Sequence, residues 1–577
     1  AYRMRARMAT LLGTQGSVLI IEPTKAAAQR TAGAVADELE DEPECAALVA
    51  LATTRLGVAH PLVATLRGGV GFHHAALPDD VQAELEDGIR RGPLRYLVAT
   101  TTLIEGINFP VRSVLVGDRG YQTADGFVTT LDAPKLLNAV GRAGRAGRET
   151  EGWIVLWLNE QFTPSAFDAL AAEDADLTAN SRLSTEDALD ALASFEELVR
   201  RGQDAVFETD GNAVSDFISH VWFIATAVED LQLAARNPVR ASLESTLAWQ
   251  QLAPADRERW RAVAELAADR YERAPREQRR RWARTGTSLP SAAKLETLAG
   301  EIRVAIATLA VRSDPVDAFG LVAGGGRLAR LLDLSESRSR LFRPRRNSPI
   351  SAALDVDLHA LIGDWLKGTD LDQLGMVYLA VVQDETYRYE QLSEFISQVL
   401  EHLLPWLLNT VIAWVNEGLD GTDQLCPELP AYVRFGVDKP VALELARAGV
   451  RSRRLVHVVA NVAERSAVSM VRDWLSESGL QAWGRLFDAS PSELADLLFF
   501  TRARDARITS RVLAGEIVDV PLIVEAAVGE GPVELREADE PAPQRRAVVR
   551  DDELGGYVRA EHQDDITRLR AIGVPLI

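Results

Sequence analysis

The first 165 residues alternate short apolar runs with segments in which apolar residues recur every three or four positions. The runs are rich in β-branched or aromatic residues and are bounded by Gly, Pro or polar residues, as buried parallel strands usually are. They cover Ser17–Glu22, Tyr96–Val98, Val114–Val116 and Trp153–Leu158, with a further strand expected near Leu62–Leu66. Helical periodicity covers Lys25–Glu40 and Asp79–Arg91. Alternating strands and helices predict an α/β fold, a parallel sheet with helices on both faces.

Beyond about residue 185 the apolar residues keep helical spacing and strand-like alternation largely disappears, which predicts mostly α-helical domains. Pro, Gly and Arg accumulate near residues 274–287 and 341–349, as is typical of boundaries or long loops. After about Glu525 the chain is rich in Pro, Glu, Asp and Arg, which predicts a flexible tail with a short final helix. We therefore divide the chain into residues 1–165, 166–345, 346–515 and 516–577.

The composition narrows the class of protein. With 577 residues, 25% of them charged and 47% hydrophobic, the chain has the balance of a globular protein of three or four domains. Two cysteines allow no disulfide framework and suit a reducing cytoplasm. The most apolar stretch, Ser397–Val415, contains Glu401, His402, Pro405 and Asn409, which favours a buried core helix over a membrane span.

The formal net charge of −21 argues against a protein that simply coats nucleic acid. It does not exclude an enzyme with a nucleic-acid channel, because a local basic lining matters more than the total charge. The adjacent His73 and His74 are not a metal site by sequence, since neighbours on an extended segment point to opposite sides and no Cys or His cluster accompanies them.

Two polar stretches follow or precede the predicted strands, at residues 100–110 and 138–148. The second places Arg142, Arg145 and Arg148 at every third position, so two or three guanidinium groups would share one face of a helix. Guanidinium groups bind phosphate oxygens through paired hydrogen bonds. The alternative is a solvated basic helix face or a flexible Gly-Arg segment.

The context of these stretches favours the phosphate-binding interpretation. ATTTLIEGINFP (residues 99–110) and NAVGRAGRAG (residues 138–147) resemble motifs V and VI of superfamily-two DEAD/DEAH-type helicases, with the Ski-type branch the nearest in pattern. The segment at residues 16–38 resembles motif IV of that family, and residues 69–92 resemble its FHHAxLP segment. The resemblance implies that residues 1–165 form a second RecA-like lobe.

The resemblance also implies a nucleotide site. Arg145, with Arg142, would reach the γ-phosphate of ATP, while Asn138, Gly106 and Asn108 would bind the nucleotide. Asn138 stands where the family more often has Gln, which leaves its contact open. ATP and Mg²⁺ would be held mainly by a first RecA-like lobe, since neither the G-x-x-x-x-G-K-[ST] loop nor a DExH box occurs in the sequence.

On the same resemblance, Thr24, Thr100 and Thr102 would contact a nucleic-acid strand, DNA in preference to RNA, as a single strand or forked duplex. Between motifs V and VI, Asp125-Gly126 lies between β-favouring residues, a hairpin signal. In DNA helicases of this branch a hairpin in this interval separates strands. An ordinary surface connection is the alternative.

The helical part contains a second set of candidates. The W-x-x-G-x-x-L-x-x-L passage of the Ski-type branch is matched by Trp365, Gly368, Leu371 and Leu374. The resemblance implies that residues 346–515 form a ratchet-like bundle. It also implies that residues 166–345, which precede the bundle, form a helical region that can include a winged helix. Arginines cluster at 273–284, at 338–346 and at Arg451, Arg453 and Arg454. They would line a channel for the strand; solvated charge is the alternative.

The sequence therefore predicts the C-terminal portion of an ATP-dependent nucleic-acid helicase or translocase that has no membrane partner. Its first lobe is expected in the same longer chain, and a separate subunit that supplies this lobe is the alternative. The rival hypothesis is a non-catalytic, helicase-like module that binds nucleic acid or a partner. The absence of the phosphate-binding loop supports the rival hypothesis, whereas Arg142 and Arg145 argue against it, because a lobe that senses no ATP has little need of both.

Overall fold

The computed structural model divides into two compact units. The first unit comprises Ala1–Leu170, Asp364–Ser397 and Phe435–Ile577, and the second comprises Ala171–Gly363 and Gln398–Arg434. The structure describes residues 2–100, 111–118, 120–123, 126–129, 152–157, 181–231, 236–309, 312–337, 356–468, 470–478, 483, 486–489, 491–501, 522–526, 533–537, 546–551 and 556–559. The division into four consecutive domains stays a prediction.

A five-stranded parallel sheet forms the centre of the first unit. Its strands are β1 (Val18–Ile21), β2 (Val70–His73), β3 (Tyr96–Ala99), β4 (Ser113–Val116) and β7 (Trp153–Leu156), in the spatial order β2-β3-β1-β4-β7. Strand β1 lies in the middle, with Val18 opposite Tyr96 on one side and Ser113 on the other. All four residues of β1 are buried, because a central strand of a parallel sheet is covered on both faces. The predicted α/β fold is confirmed.

Among the described residues, the sheet is flanked by the helices α1 (Tyr2–Gly13), α2 (Lys25–Ala36), α3 (Ala46–Leu56), α4 (Pro61–Arg67) and α5 (Asp79–Arg91). The prediction of a strand at Leu62–Leu66 is wrong, because those residues lie in α4. Pro61 occupies one of the first helical positions and the ring of His60 accepts a hydrogen bond from Leu62 N, so the chain enters a helix here. The strand follows three residues later, as β2.

The described residues between 181 and 337 are mostly helical, as predicted. The helices are α6 (Glu186–Arg200), α7 (Ala205–Glu208), α8 (Ala213–Asp230), α9 (Arg236–Glu244), α10 (Leu247–Gln250), α11 (Pro254–Arg273), α12 (Arg276–Ala283), α13 (Leu289–Ala305), α14 (Pro315–Ala323) and α15 (Arg327–Leu332). Their core is aromatic: Trp222 on α8 packs edge-on against Tyr271, and Phe217 against Trp260. The Trp222 and Trp260 ring nitrogens donate to backbone carbonyls, so neither buried indole leaves an unpaired donor.

Residues 356–501 form a second run of helices. They are α16 (Leu358–Leu366), α17 (Leu371–Tyr378), α18 (Glu385–Phe395), a π-helical segment (Ile396–Leu403), α19 (Leu404–Asn416), α20 (Leu429–Phe435), α21 (Pro440–Arg447), α22 (Arg453–Arg465), α23 (Val471–Ser478) and α24 (Pro491–Thr501). Short 3₁₀ turns occur at Pro43–Cys45, Arg182–Ser184, Ile306–Thr308 and Gly421–Asp423.

The most apolar stretch is a core helix, as expected from its interrupting polar residues. Leu400, Leu404 and Leu408 are buried, as are Trp365 and Leu374. Leu371 is only half-buried. The π-helical segment precedes Pro405, which has no N–H to continue the α-helical hydrogen bonds. Among the described residues, no helix is both long and apolar enough to cross a membrane.

The last part of the chain differs from the flexible tail that its composition suggests. Four strands, β8 (Leu522–Ala526), β9 (Val533–Glu537), β10 (Arg546–Asp551) and β11 (Gly556–Arg559), form an antiparallel sheet in consecutive order. Charged residues alternate with Val and Leu in β9, a period-two pattern that the count of charges conceals. The predicted final helix lies outside the described residues.

Candidate nucleic-acid interface at the carboxyl edge of the sheet

The carboxyl ends of the parallel strands bring together two predicted site residues. Thr24 follows β1 and Thr100 follows β3, and these two strands are paired, with Ile21 opposite Ala99. Thr24 caps α2: its side-chain oxygen accepts from Ala27 N at 3.1 Å. Thr100 is buried, and its backbone N–H donates to His73 O at 3.1 Å. A helix N-terminus beside the end of a neighbouring strand is where open α/β sheets bind ligands.

The remaining predicted residues of the nucleotide and strand sites, Thr102, Gly106, Asn108, Asn138, Arg142 and Arg145, lie outside the described residues. Their roles stay predictions. The hairpin predicted from Asp125-Gly126 is partly described: β5 (Gly120–Thr123) pairs antiparallel with β6 (Gly126–Thr129). It begins four residues after the end of β4, so it starts from the same carboxyl edge.

The histidines near this edge are structural. His74 is buried beneath the edge, where its Nδ1 accepts from Ala76 N at 3.3 Å and its ring stacks on Phe72. Burial holds the pKa of His74 well below its usual range, and burial lowers the pKa of His60 to about 3. His73 contacts Glu86 at 3.0 Å. Within the described part of the chain, no group of three or more His, Cys, Asp or Glu residues is placed to hold a metal ion.

A buried ionic cluster at the same edge was not predicted from the sequence. Nη1 of Arg5 on α1 donates to both carboxylate oxygens of Glu22 at 2.9 and 3.0 Å, and its Nη2 contacts Asp118 at 2.6 Å. Arg5 and Glu22 are 1% and 0% exposed. The only signal in the sequence is the position of Arg5 on the apolar stripe of α1, which it shares with Ala9 and Leu12.

The charges of this cluster stabilise one another. Burial alone would lower the pKa of Arg5, but attraction to Glu22 and Asp118 outweighs burial and raises it. Burial raises the pKa of Glu22, against the attraction of Arg5 and a hydrogen bond that Thr31 Oγ1 donates at 2.7 Å. The guanidinium of Arg5 thus makes three short contacts with the two carboxylates.

The predicted arginine cluster at 273–284 is engaged within the chain. Arg276 and Arg279 on α12 contact Glu229 at the end of α8, and Arg280 and Arg284 contact Asp230. Although burial opposes the shift, hydrogen bonds from Arg279, Tyr271 and Arg276 lower the pKa of Glu229 to about 2. The arginines at 338–346 lie outside the described residues. Contact of either cluster with nucleic acid stays a prediction.

Arg451 and Arg454 are held by carboxylates of α24. Arg451 donates its backbone N–H to Asp496 Oδ2 at 3.0 Å, and its guanidinium contacts Asp496 and Glu84. Arg454 contacts Glu493 at 2.6 Å. Binding of nucleic acid by these two residues stays a prediction, but in this structure their charges are neutralised by protein carboxylates.

Arg453 is packed against the W-x-x-G passage instead. It donates to the carbonyl oxygens of Trp365, at 2.8 Å, and of Thr369. Its burial lowers the pKa of the guanidinium to about 10. Here too, a role in nucleic-acid binding stays a prediction.

The W-x-x-G passage is a packing motif in this fold. Gly368 has φ +86°, and a Cβ atom there would lie 2.6 Å from the ring of His457. Gly436 has φ +61°, and a Cβ atom there would lie 2.4 Å from Cε2 of Trp365. The His457 ring nitrogen Nε2 and Gly436 O are 2.8 Å apart. Two glycines therefore allow an indole and an imidazole to approach the backbone closely.

The chain is similar over short stretches to known proteins, although no family model matches it. The ATP-dependent DNA helicase Hel308 of Caldivirga maquilingensis is 39% identical over 100 residues, 17% of this chain and 13% of that protein. The protein of the same name from Pyrobaculum calidifontis is 34% identical over 150 residues, 24% and 21% of the two chains. The Hel308 protein of Methanococcus vannielii is 35% identical over 108 residues, which are 18% of this chain and 14% of that protein.

The aligned stretches thus span about an eighth to a fifth of the length of these relatives. Over those stretches, this chain is similar to DNA helicases of superfamily two.

Proposed function

We propose that this chain is the C-terminal portion of an ATP-dependent DNA helicase, in which residues 1–165 form the second RecA-like lobe. The observation that carries the proposal is the parallel sheet with Thr24 and Thr100 at the carboxyl ends of two paired strands. The similarity to proteins named ATP-dependent DNA helicase supports the same assignment. The FHHAxLP segment, in which His74 fixes the turn after β2, further supports the Ski-type branch.

In this proposal Thr24, Thr100 and Thr102 contact the sugar–phosphate backbone of one DNA strand. The first free N–H groups of α2 and the hydroxyl of Thr24 offer hydrogen bonds to phosphate oxygens, and the helix dipole favours the negative charge. Such contacts carry no base sequence information, which suits an enzyme that moves along DNA. Protein charge near the strand must be locally positive, since the net charge of −21 repels DNA at long range.

ATP would lie between this lobe and a first RecA-like lobe in the same longer chain, which would hold most of the Mg²⁺ and phosphate contacts. Hydrolysis of the bound ATP supplies the free energy for movement. Arg145 and Arg142 would approach the γ-phosphate from the second lobe and stabilise negative charge that develops during phosphoryl transfer. Asn138, Gly106 and Asn108 would complete the nucleotide contacts on this side.

The test is ATP hydrolysis by the full-length protein in the presence of a DNA fork. Arg145→Ala should lower the DNA-stimulated kcat by roughly a thousandfold, as loss of an arginine finger does. The matched control, Arg148→Ala, removes the last arginine of the same run and should leave kcat near wild type. DNA binding without nucleotide should be unchanged in both variants.

Two results would contradict the proposal. If the wild-type protein binds DNA but shows no DNA-stimulated hydrolysis, the rival hypothesis of a non-catalytic binding module is correct. If the wild-type protein hydrolyses ATP and Arg145→Ala does so at the same rate, Arg145 is a surface residue and the nucleotide assignment is wrong.

A further inference from the structure

The cluster of Arg5, Glu22 and Asp118 connects three places on the carboxyl edge. Glu22 follows β1 directly and lies two residues before Thr24, while Asp118 lies two residues after β4 and two before β5. Arg5, from α1, bridges the two carboxylates. The ring of Trp157, which follows β7, lies 5.3 Å from the guanidinium carbon of Arg5. One buried side chain thus contacts the residues that follow three strands.

The surroundings leave these groups little freedom. Glu22 N donates to Ala99 O at 2.9 Å and Gly117 N to Ile21 O at 2.8 Å, so both carboxylates stand on strand ends fixed by backbone hydrogen bonds. A Cβ atom at Gly117 would lie 2.8 Å from Glu22 Oε2, which shows how closely the backbone before Asp118 approaches the Glu22 carboxylate. Asp118 is the most exposed member, at 31% of its side chain.

Stability alone is a poor explanation for the cluster. Removing charges from water costs several kcal/mol per ion, so that well-packed apolar side chains often stabilise a fold equally well. An ionic cluster also fixes the relative orientation of its groups, because carboxylate oxygens bind the N–H groups of a guanidinium in a defined geometry. A displacement of Asp118 relative to Glu22 would break one of the contacts of Arg5, whose guanidinium is buried.

We propose that Arg5 is a positioning residue that fixes the β5–β6 hairpin relative to Thr24. The hairpin begins two residues beyond Asp118, so the contact between Arg5 and Asp118 sets the place and direction from which it leaves the sheet. The effect on unwinding rests on the proposed function, whereas the effect on hairpin position does not. Without Arg5, Glu22 and Asp118 would repel each other across the gap between β1 and β4, and the hairpin would lose its fixed origin.

The least disruptive variant is Asp118→Asn, because it keeps the size of a partly exposed side chain and removes only its charge. Asp118→Glu keeps the charge and is the conservative rescue. The control is Glu38→Gln, which breaks the exposed ion pair of Glu38 with Arg7 on the same helix as Arg5. Nitroxide labels at Thr123 in the hairpin and Asp37 after α2 report the distance between hairpin and α2, since the two native cysteines are buried.

In the full-length protein, Asp118→Asn should broaden or shift the distance between the labels without ATP or DNA, while Glu38→Gln and Asp118→Glu keep the wild-type distribution. On a DNA fork, unwinding by Asp118→Asn should fall by roughly tenfold or more, as misplacing a working group by about an ångström does. Its DNA-stimulated ATP hydrolysis should stay within about twofold of wild type, since the Arg145 site is untouched.

An unchanged distance distribution in Asp118→Asn would overturn the positioning role, and so would equal losses of hydrolysis and unwinding. The distance measurement needs no activity. A wild-type protein that hydrolyses no ATP would therefore defeat the proposed function, while the label distances would still decide the role of Arg5.

Discussion

The guanidinium carbon of Arg453 lies 4.1 Å from the centre of the Trp365 ring, and the same side chain donates to the carbonyl oxygen of Trp365. One arginine therefore contacts both the ring and the backbone of Trp365, in the last turn of α16. An arginine in this position stabilises the helical part from inside, in contrast to an arginine that only lines a surface.

Arg453→Ala should lower the free energy of unfolding by at least about 2 kcal/mol, because the carbonyl oxygens of Trp365 and Thr369 lose a charged donor and the indole loses its cation. Urea denaturation followed by tryptophan fluorescence measures the change. Arg465→Ala, which removes an exposed arginine from the same helix, is the control and should change the stability by less than about 0.5 kcal/mol. If both variants unfold at the same urea concentration, Arg453 contributes no packing.

The tight approach of Trp365 to Gly436 gives a second prediction. Gly436→Ala adds both a left-handed alanine and a Cβ atom 2.4 Å from the indole, so we expect a loss of more than about 2 kcal/mol of stability. Gly418→Ala isolates the backbone effect: Gly418 has φ +72° with open space around it, and its substitution should cost about 1 kcal/mol. Chemical denaturation of both variants compares them. Equal losses would show that the contact with Trp365 is unimportant.

The neutral state of buried His60 gives a pH dependence. Because its pKa is about 3 in the fold and about 6.5 when unfolded, the unfolded chain binds the proton more readily. The stability contributed by neutral His60 is present above pH 6.5 and is lost as the pH falls toward 3. Between pH 7 and pH 5 this loss is about 2 kcal/mol.

His60→Asn keeps an acceptor for Leu62 N at the start of α4 but cannot titrate, so it should remove that part of the acid sensitivity. Urea midpoints at pH 7 and pH 5 measure it. His220→Asn, at an exposed histidine, should leave the pH dependence of the wild type in place. If His60→Asn loses as much stability between pH 7 and pH 5 as wild type, the titration of His60 does not govern this range.

The sequence alone predicted the parallel sheet because its signals are local. The run Val18–Ile21 is apolar throughout and is followed by Glu22 and Pro23, so its length and its boundary are both visible. Trp365, Leu374 and Leu404 recur at helical spacings, a local pattern typical of core positions, and they are buried. The run at Leu62–Leu66 is also mostly apolar, but its assignment as a strand is wrong, since the choice between helix and strand depends on Pro61 and the ring of His60.

The ionic contacts could not be predicted, because their partners are distant in the chain. Arg5 meets Glu22 across 17 residues, and Arg279 meets Glu229 across 50. A cluster of arginines in a sequence gives no information about which carboxylates the fold brings to it. The same limit applies to Arg451, whose partner Asp496 lies 45 residues further on. Predicting such an arginine as a ligand for phosphate requires knowledge of its neighbours.

The central place of β1 has a consequence for how the lobe folds during synthesis. Of the strands in this sheet, β1 is synthesised first. The earlier of its two partner strands is β3, in which Tyr96 lies opposite Val18 and is synthesised 78 residues later. At about 5–20 residues per second, a ribosome needs roughly 4–16 s to produce that partner. During this interval the four apolar residues of β1 have no strand beside them and depend on α1 and α2, or on a chaperone, for protection. Slow codons between residues 22 and 96 would therefore increase aggregation of the nascent chain more than the same codons placed after residue 116.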